Sequence, residues 1–124
     1  MKVLNRIKKN IEFNKVISEG VLVKSDTITL HFLKNDLNYT RIGISIPRKS
    51  GKAVVRNKMK RQIRAIIASD ADLTKSFDIV MIARKSYDIS KFEKTRSDID
   101  YLFEKVGLKA WKDYTRLVWF PLDY

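Results

Sequence analysis

Apolar and polar positions follow two rhythms along this chain. Ile28, Leu30 and Phe32 alternate with Thr29, His31 and Leu33, and Ile42, Ile44 and Ile46 alternate with Gly43 and Ser45. A period of two predicts strands with one buried face, because successive side chains point to opposite sides of a sheet. His31 then lies on the face away from Ile28 and Leu30. Pro47, which has no N–H for a ladder, closes the second strand. Phe77 to Ala83 is almost continuously apolar after Asp78, the pattern of a strand buried on both faces.

Helical spacing appears three times. Asn10 is placed to cap a short helix whose apolar face is Ile11, Val16 and Ile17, with Phe13 beside them and Gly20 at its end. Val55, Met59, Ile63, Ile66 and Ile67 define a second helix over residues 53–69. Ser90 and Glu93 have the spacing of a capping box for a third, with Phe92, Ile99, Leu102, Phe103 and Val106 facing inward and Gly107 as the stop. Beyond Leu108, the residues Tyr114, Leu117, Val118 and Trp119 suit either a last short strand or an aromatic-rich extension, so the function of residues 108–124 stays open. The order of elements predicts a mixed sheet with helices packed on it, an α+β two-layer sandwich.

Composition narrows this further. A chain of 124 residues with 44% hydrophobic content and no repeat or Pro/Gly/Ser-rich linker forms one domain, 1–124, around one core. It has no cysteine and a single histidine, which excludes disulfide scaffolds, thiolate chemistry and multi-histidine metal sites. No apolar run approaches the roughly 18 residues a membrane span needs, and the first ten residues do not resemble a secretion signal. The expectation is a cytoplasmic protein with no membrane partner.

The net charge of +12 is concentrated in the middle of the chain. Residues 37–69 contain Arg41, Arg48, Lys49, Lys52, Arg56, Lys58, Lys60, Arg61 and Arg64 and not one acid. Apolar residues run through the same segment, so the charge belongs to folded structure. At about 100° per residue, Asn57, Lys58, Lys60, Arg61 and Arg64 fall opposite the apolar arc of the second helix, with Arg56 at the seam. No acid within residues 53–69 can balance them through i,i+4 pairs. Such a face suits a polyanion, and guanidinium forks, ammonium groups and an amide together suit phosphate, ribose and base edges.

The string Lys52-x-x-x-Arg56-Asn57-x-x-Lys60-Arg61-x-x-Arg64 resembles the signature of the bacterial ribonuclease P protein component, with Lys58 where that family usually has arginine. Arg6 to Asn10 leading to Phe13, the segment Arg41 to Lys49, and Ile82 to Lys85 resemble family segments in the same order. The resemblance spans roughly residues 4–107. It implies a four-stranded mixed sheet with about three helices and a left-handed βαβ crossover. It also implies the protein subunit of an RNA-catalysed endoribonuclease that matures the 5′ end of transfer RNA. The partners would be the catalytic RNA subunit and precursor tRNA. Lys52, Arg56, Asn57, Lys58, Lys60, Arg61 and Arg64 would face the catalytic RNA, and Phe13, Ile17, His31, Lys49 and Lys85 would line a cleft for the single-stranded leader. No catalytic residue, metal ligand or cofactor is expected on the protein, and Mg2+ is expected on the RNA subunit.

Plainer readings stand beside these. Phe13 also suits a core position, His31 a strand surface, and Lys49 and Lys85 solvated loops. A ribosomal or other structural RNA-binding protein without a catalytic RNA partner is the main alternative. A helix-turn-helix DNA binder fits less well, because a strand rather than a helix precedes residues 53–69. A protein-only nuclease would need a metal-ligand spacing that the acids do not offer.

Overall fold

The computed structural model describes residues 5–110. In chain order the elements are α1 (Asn10–Glu19), β1 (Val21–Lys24), β2 (Ile28–Lys34), β3 (Arg41–Ser45), a single 3-10 turn (Arg48–Ser50), α2 (Ala53–Asp70), β4 (Phe77–Ala83) and α3 (Phe92–Val106). The four strands form one sheet in the order β1-β2-β4-β3. The β1/β2 and β2/β4 pairs are antiparallel, and β3/β4, joined through α2, is parallel. The α+β mixed sheet is thus the expected one.

One sheet face carries Ile28, Leu30, Ile42, Ile79 and Met81, all buried against Ile63, Ile66 and Ile67 of α2 and Ile99, Leu102 and Phe103 of α3. Burying a single such side chain stabilises the fold by roughly 1.5–3 kcal/mol, and this layer seats both helices. Gly107 ends α3 at φ 76, a left-handed conformation open to glycine at no steric cost. Leu108, buried beyond it, donates its N–H to the Phe103 carbonyl at 2.7 Å.

On the opposite sheet face, α1 is the one helix among the described residues, and Ile7 ahead of it packs beside Phe13 over Gly43. Val16 of α1 is fully buried yet stands apart from the main core, and the Phe13 ring lies over Gly43 of β3. A Cβ on Gly43 would sit 2.5 Å from a ring carbon of Phe13, so glycine is what admits the aromatic there. The chain before α1 is pinned to β3, through Ile7 N–H to the Ile42 carbonyl at 3.2 Å and Asn5 Nδ2 to the Thr40 carbonyl at 2.7 Å.

The fourth strand is β1, a four-residue edge that starts directly after Gly20; Tyr114, Leu117, Val118 and Trp119 lie outside the described residues. Three local expectations fail for identifiable reasons. Asn10 is the first helical residue of α1 rather than its cap, and Lys9 stands at the cap position with no side-chain bond. Ile11 is 76% exposed because it falls on the far side of α1 from Val16. Ser90 and Glu93 form no capping box: α3 starts at Phe92, while Ser90 donates from both N–H and Oγ to Asp88 Oδ1, at 2.9 and 2.7 Å. Such local turns compete with helix starts for short polar side chains.

Candidate nucleic-acid interface

Helix α2 is held by its apolar stripe and by polar ties at Gln62 and, at its far end, from Arg96 of α3 to Ser69 and Asp70. Met59, Ile63, Ile66 and Ile67 are buried, and Gln62 accepts from Tyr87 Oη at 2.8 Å while donating to the Ile89 carbonyl at 2.9 Å. Burial of Tyr87 pushes its hydroxyl up to about 12. The loop after β4 is thereby fastened to α2, and Gln62 is a contributor that helical spacing alone marks only as polar.

The opposite side of α2 is cationic and open. Lys52, Asn57, Lys58, Arg61 and Arg64 are exposed, and Arg56 and Lys60 are partly so. Among the described residues none of these cations makes an ion pair, and the one intramolecular side-chain bond is from Arg56 Nε to the Gly51 carbonyl at 3.1 Å. Five positive side chains on one helix, with no acid across from them, make a rigid surface of high potential. Val54, 78% exposed, falls on the same side.

Arg41 leaves this set. It donates from Nε and Nη2 to Asp78 at 2.9 and 2.6 Å, and from Nη1 to Glu12 at 2.9 Å. The hydrogen bond to Asp78, reinforced by Glu12, raises the guanidinium above its already high value despite partial burial. One of the nine central bases is therefore internally neutralised.

Register places a second candidate surface beside α1. On the α1 face of the sheet, Leu22, His31, Val80 and Gly43 form one row, and Lys24, Thr29, Ile82 and Ser45 form the next. Helix α1 spans the first row, with Phe13 over Gly43. The second row is at least partly exposed, and Phe13 and Ile17, both half-buried, fall on the flank of α1 away from Glu12. His31 is half-buried, its Nδ1 has no hydrogen-bond partner among the described residues, and burial lowers its pKa, so the neutral ring dominates at pH 7. Because β3 and β4 are parallel, Lys49 and Lys85 leave the sheet at the end where this second row lies, and both are exposed. Phe13, Ile17 and His31 therefore lie on the α1 side of the sheet, and Lys49 and Lys85 follow the strand ends beyond the second row. Thr29, Ser45 and Lys24 join them through register, a relation that sequence spacing does not carry.

Lys85's neighbour Arg84 has another task. Its Nη1 donates to the Ser25 carbonyl at 2.6 Å and its N–H to the Thr27 carbonyl at 2.8 Å, and Ser86 Oγ donates to the Asp26 carbonyl, so the β1–β2 turn is tied to the end of β4. Among the described residues no three His, Asp or Glu side chains are grouped to hold a metal ion, and no helix is long and apolar enough to cross a membrane.

An α+β fold with an unpaired cationic helix on one face of its mixed sheet and a polar, aromatic-flanked strip beside α1 on the other, where the expected two layers become a sheet with helices on both sides, defines a small RNA-binding protein. The chain belongs to the ribonuclease P family, whose model matches residues 1–107. It is 38% identical over 109 residues to the ribonuclease P protein component of Bacillus velezensis, covering 87% of this chain and 94% of that protein. The corresponding protein of Mesoplasma florum is 38% identical over 104 residues, covering 82% and 94%. Among solved structures, a mutant of the Staphylococcus aureus ribonuclease P protein superposes with TM-score 0.76 at 28% identity, over 85% of this chain and 90% of that one. The Thermotoga maritima ribonuclease P protein superposes with TM-score 0.69 at 32% identity, over 81% and 96%.

Proposed function

We propose that this protein is the RNA-binding subunit of a ribonuclease P in which RNA, with bound Mg2+, cleaves the phosphodiester, and the protein holds catalytic RNA and precursor tRNA together in the cytoplasm. Lys52, Arg56, Asn57, Lys58, Lys60, Arg61 and Arg64 grip the catalytic RNA, with arginine forks on phosphates and the Asn57 amide on ribose or base edges. Phe13, Ile17, His31, Lys49 and Lys85 receive the single-stranded leader, whose bases can stack on Phe13 and His31 while its phosphates follow the lysines.

The single observation that carries this reading is the unpaired cationic face of α2 in a chain of this family. Cations with no intramolecular partner keep their full field for phosphates and displace counterions on binding. By screening repulsion between two RNAs, the subunit lowers the free Mg2+ they need. The test is reconstitution with a bacterial ribonuclease P RNA and a precursor tRNA. At low magnesium the protein restores cleavage that the RNA alone performs poorly. Purified protein without RNA cleaves nothing. No stimulation at any magnesium concentration, or cleavage by RNA-free protein, overturns the proposal.

A further inference from the structure

The chain's most basic segment contains one arginine that is not available to RNA, and its partners lie on two different elements. Arg41 stands on β3, Asp78 on β4 and Glu12 on α1. The guanidinium forks onto both oxygens of Asp78 and spends its remaining terminal nitrogen on Glu12 at 2.9 Å. Asn35 Nδ2 adds a bond to Asp78 Oδ1 at 2.8 Å, so the carboxylate is fixed from two sides. Side-chain exposure falls from 33% at Glu12 to 19% at Arg41 and 10% at Asp78. The chain of contacts thus runs from the rim of α1 down into the sheet.

Helix α1 has few other polar attachments. Its main hold is Val16 and the Phe13 ring on Gly43, and apolar contacts fix distance to the sheet better than they fix rotation about the helix axis. Glu12 adds a directional hold on the flank opposite to Phe13 and Ile17. Pulling that flank toward β3 and β4 sets how far the other flank stands from His31, Thr29 and Ser45.

We infer that Arg41 is a positioning residue, a clamp that joins Glu12 of α1 to Asp78 of β4 and thereby sets the width of the groove between α1 and the sheet. This rests on the groove receiving the leader. Arg41 then acts on leader binding without touching RNA.

The experiment uses the reconstituted holoenzyme and two precursor tRNAs, one with a leader long enough to cross the groove and one with a single leader nucleotide. Glu12→Ala removes the hold on α1 and leaves the Arg41–Asp78 fork intact. It should weaken binding of the long-leader precursor about three- to tenfold, leaving the short-leader precursor and the catalytic RNA bound as before. Glu12→Gln, whose amide oxygen still accepts from the guanidinium, should restore most of the loss. Equal weakening for both precursors, no rescue by glutamine, or no change in long-leader binding overturns the inference. Phe13→Ala separates that from the underlying reading: if Phe13→Ala also leaves long-leader binding unchanged, the groove is not the leader site. If Phe13→Ala weakens it and Glu12→Ala does not, only the clamp is wrong.

Discussion

Helices α2 and α3 pack side by side on the same sheet face, both amphipathic and both carrying lysine and arginine, but their cations have opposite fates. On α3, Lys94 contacts Asp26 at 3.2 Å and Asp98 at 3.6 Å, Arg96 forks onto Asp70 at 2.9 Å from each of two nitrogens, and Lys105 lies 5.2 Å from the centre of the Tyr101 ring. On α2 no cation meets an acid among the described residues, and the helix's own acid, Asp70, sits at its far end and belongs to Arg96. A count of positive residues does not separate the two helices well. What separates them is whether the fold has already supplied the counter-charge, because a paired cation has little field left for a partner.

The largest effects should be alike on the two helices, since they share one core. Ile63 and Phe103 are both fully buried. Ile63→Ala should cost about 2–5 kcal/mol and Phe103→Ala about 3–5 kcal/mol of unfolding free energy, measured by denaturant titration. A loss confined to one helix would mean that they do not fold as a unit.

Charge is where they should part. Arg61→Glu with Arg64→Glu on α2 removes two unpaired cations, and should weaken binding to the catalytic RNA about a hundredfold at moderate salt. The slope of log affinity against log salt should become shallower by about two. Lys94→Glu with Lys105→Glu on α3 changes net charge by the same amount and should leave RNA affinity within about twofold, while lowering thermal stability through the broken Asp26 and Asp98 contacts. Filter-binding titrations at several salt concentrations decide it. Equal sensitivity of the two helices would show that overall charge, and not pairing, governs RNA affinity.

This contrast was half legible in the sequence. The apolar stripe of α2 and its acid-free opposite side follow from spacing alone, and so do β2, β3, β4 and the body of α3. Pairing does not follow, since Arg96 finds Asp70 across 26 positions and Arg41 finds Asp78 across 37. Arg41 looked like a ninth free base for that reason. Strand β1 is not legible in the sequence because Val21, Leu22 and Val23 neither alternate nor form a long apolar run, and what makes them a strand is register against His31 and Leu30. The same register gathers Lys24, Thr29 and Ser45 near the predicted groove residues. At Ser90 the capping-box spacing was present, but Asp88 captured the serine first.

The smallest expected effect lies where the two helices meet. Asp70, 4% exposed, and Asp100 of α3 are close enough to affect each other's titration, and they respond in opposite directions. Burial alone would raise Asp70, but hydrogen bonds, Arg96's foremost, outweigh it and hold the carboxyl well below the ordinary range. Burial and the neighbouring Asp70 raise Asp100, against the opposing pull of Lys109 at 3.0 Å, and its buried Oδ1 accepts no hydrogen bond among the described residues. A raised folded-state pKa means that the native state takes up the proton first, so Asp100 contributes stability as pH falls through its folded pKa toward the ordinary aspartate value. Asp70 works the other way: its contribution is present above the ordinary aspartate value and is lost only as pH falls through its depressed folded value. Asp100→Asn keeps a group able to donate toward Asp70 and removes the like charge. It should therefore stabilise the protein at pH 7 by less than about 1 kcal/mol, since Asp100 is only partly buried and solvent screens it. The gain over the unmodified protein should shrink as pH falls through the folded pKa of Asp100, where that carboxyl is itself protonated. Thermal melts of both proteins across that range give the result, and a gain that stays constant with pH would mean that the two carboxylates do not share the α2–α3 junction electrostatically.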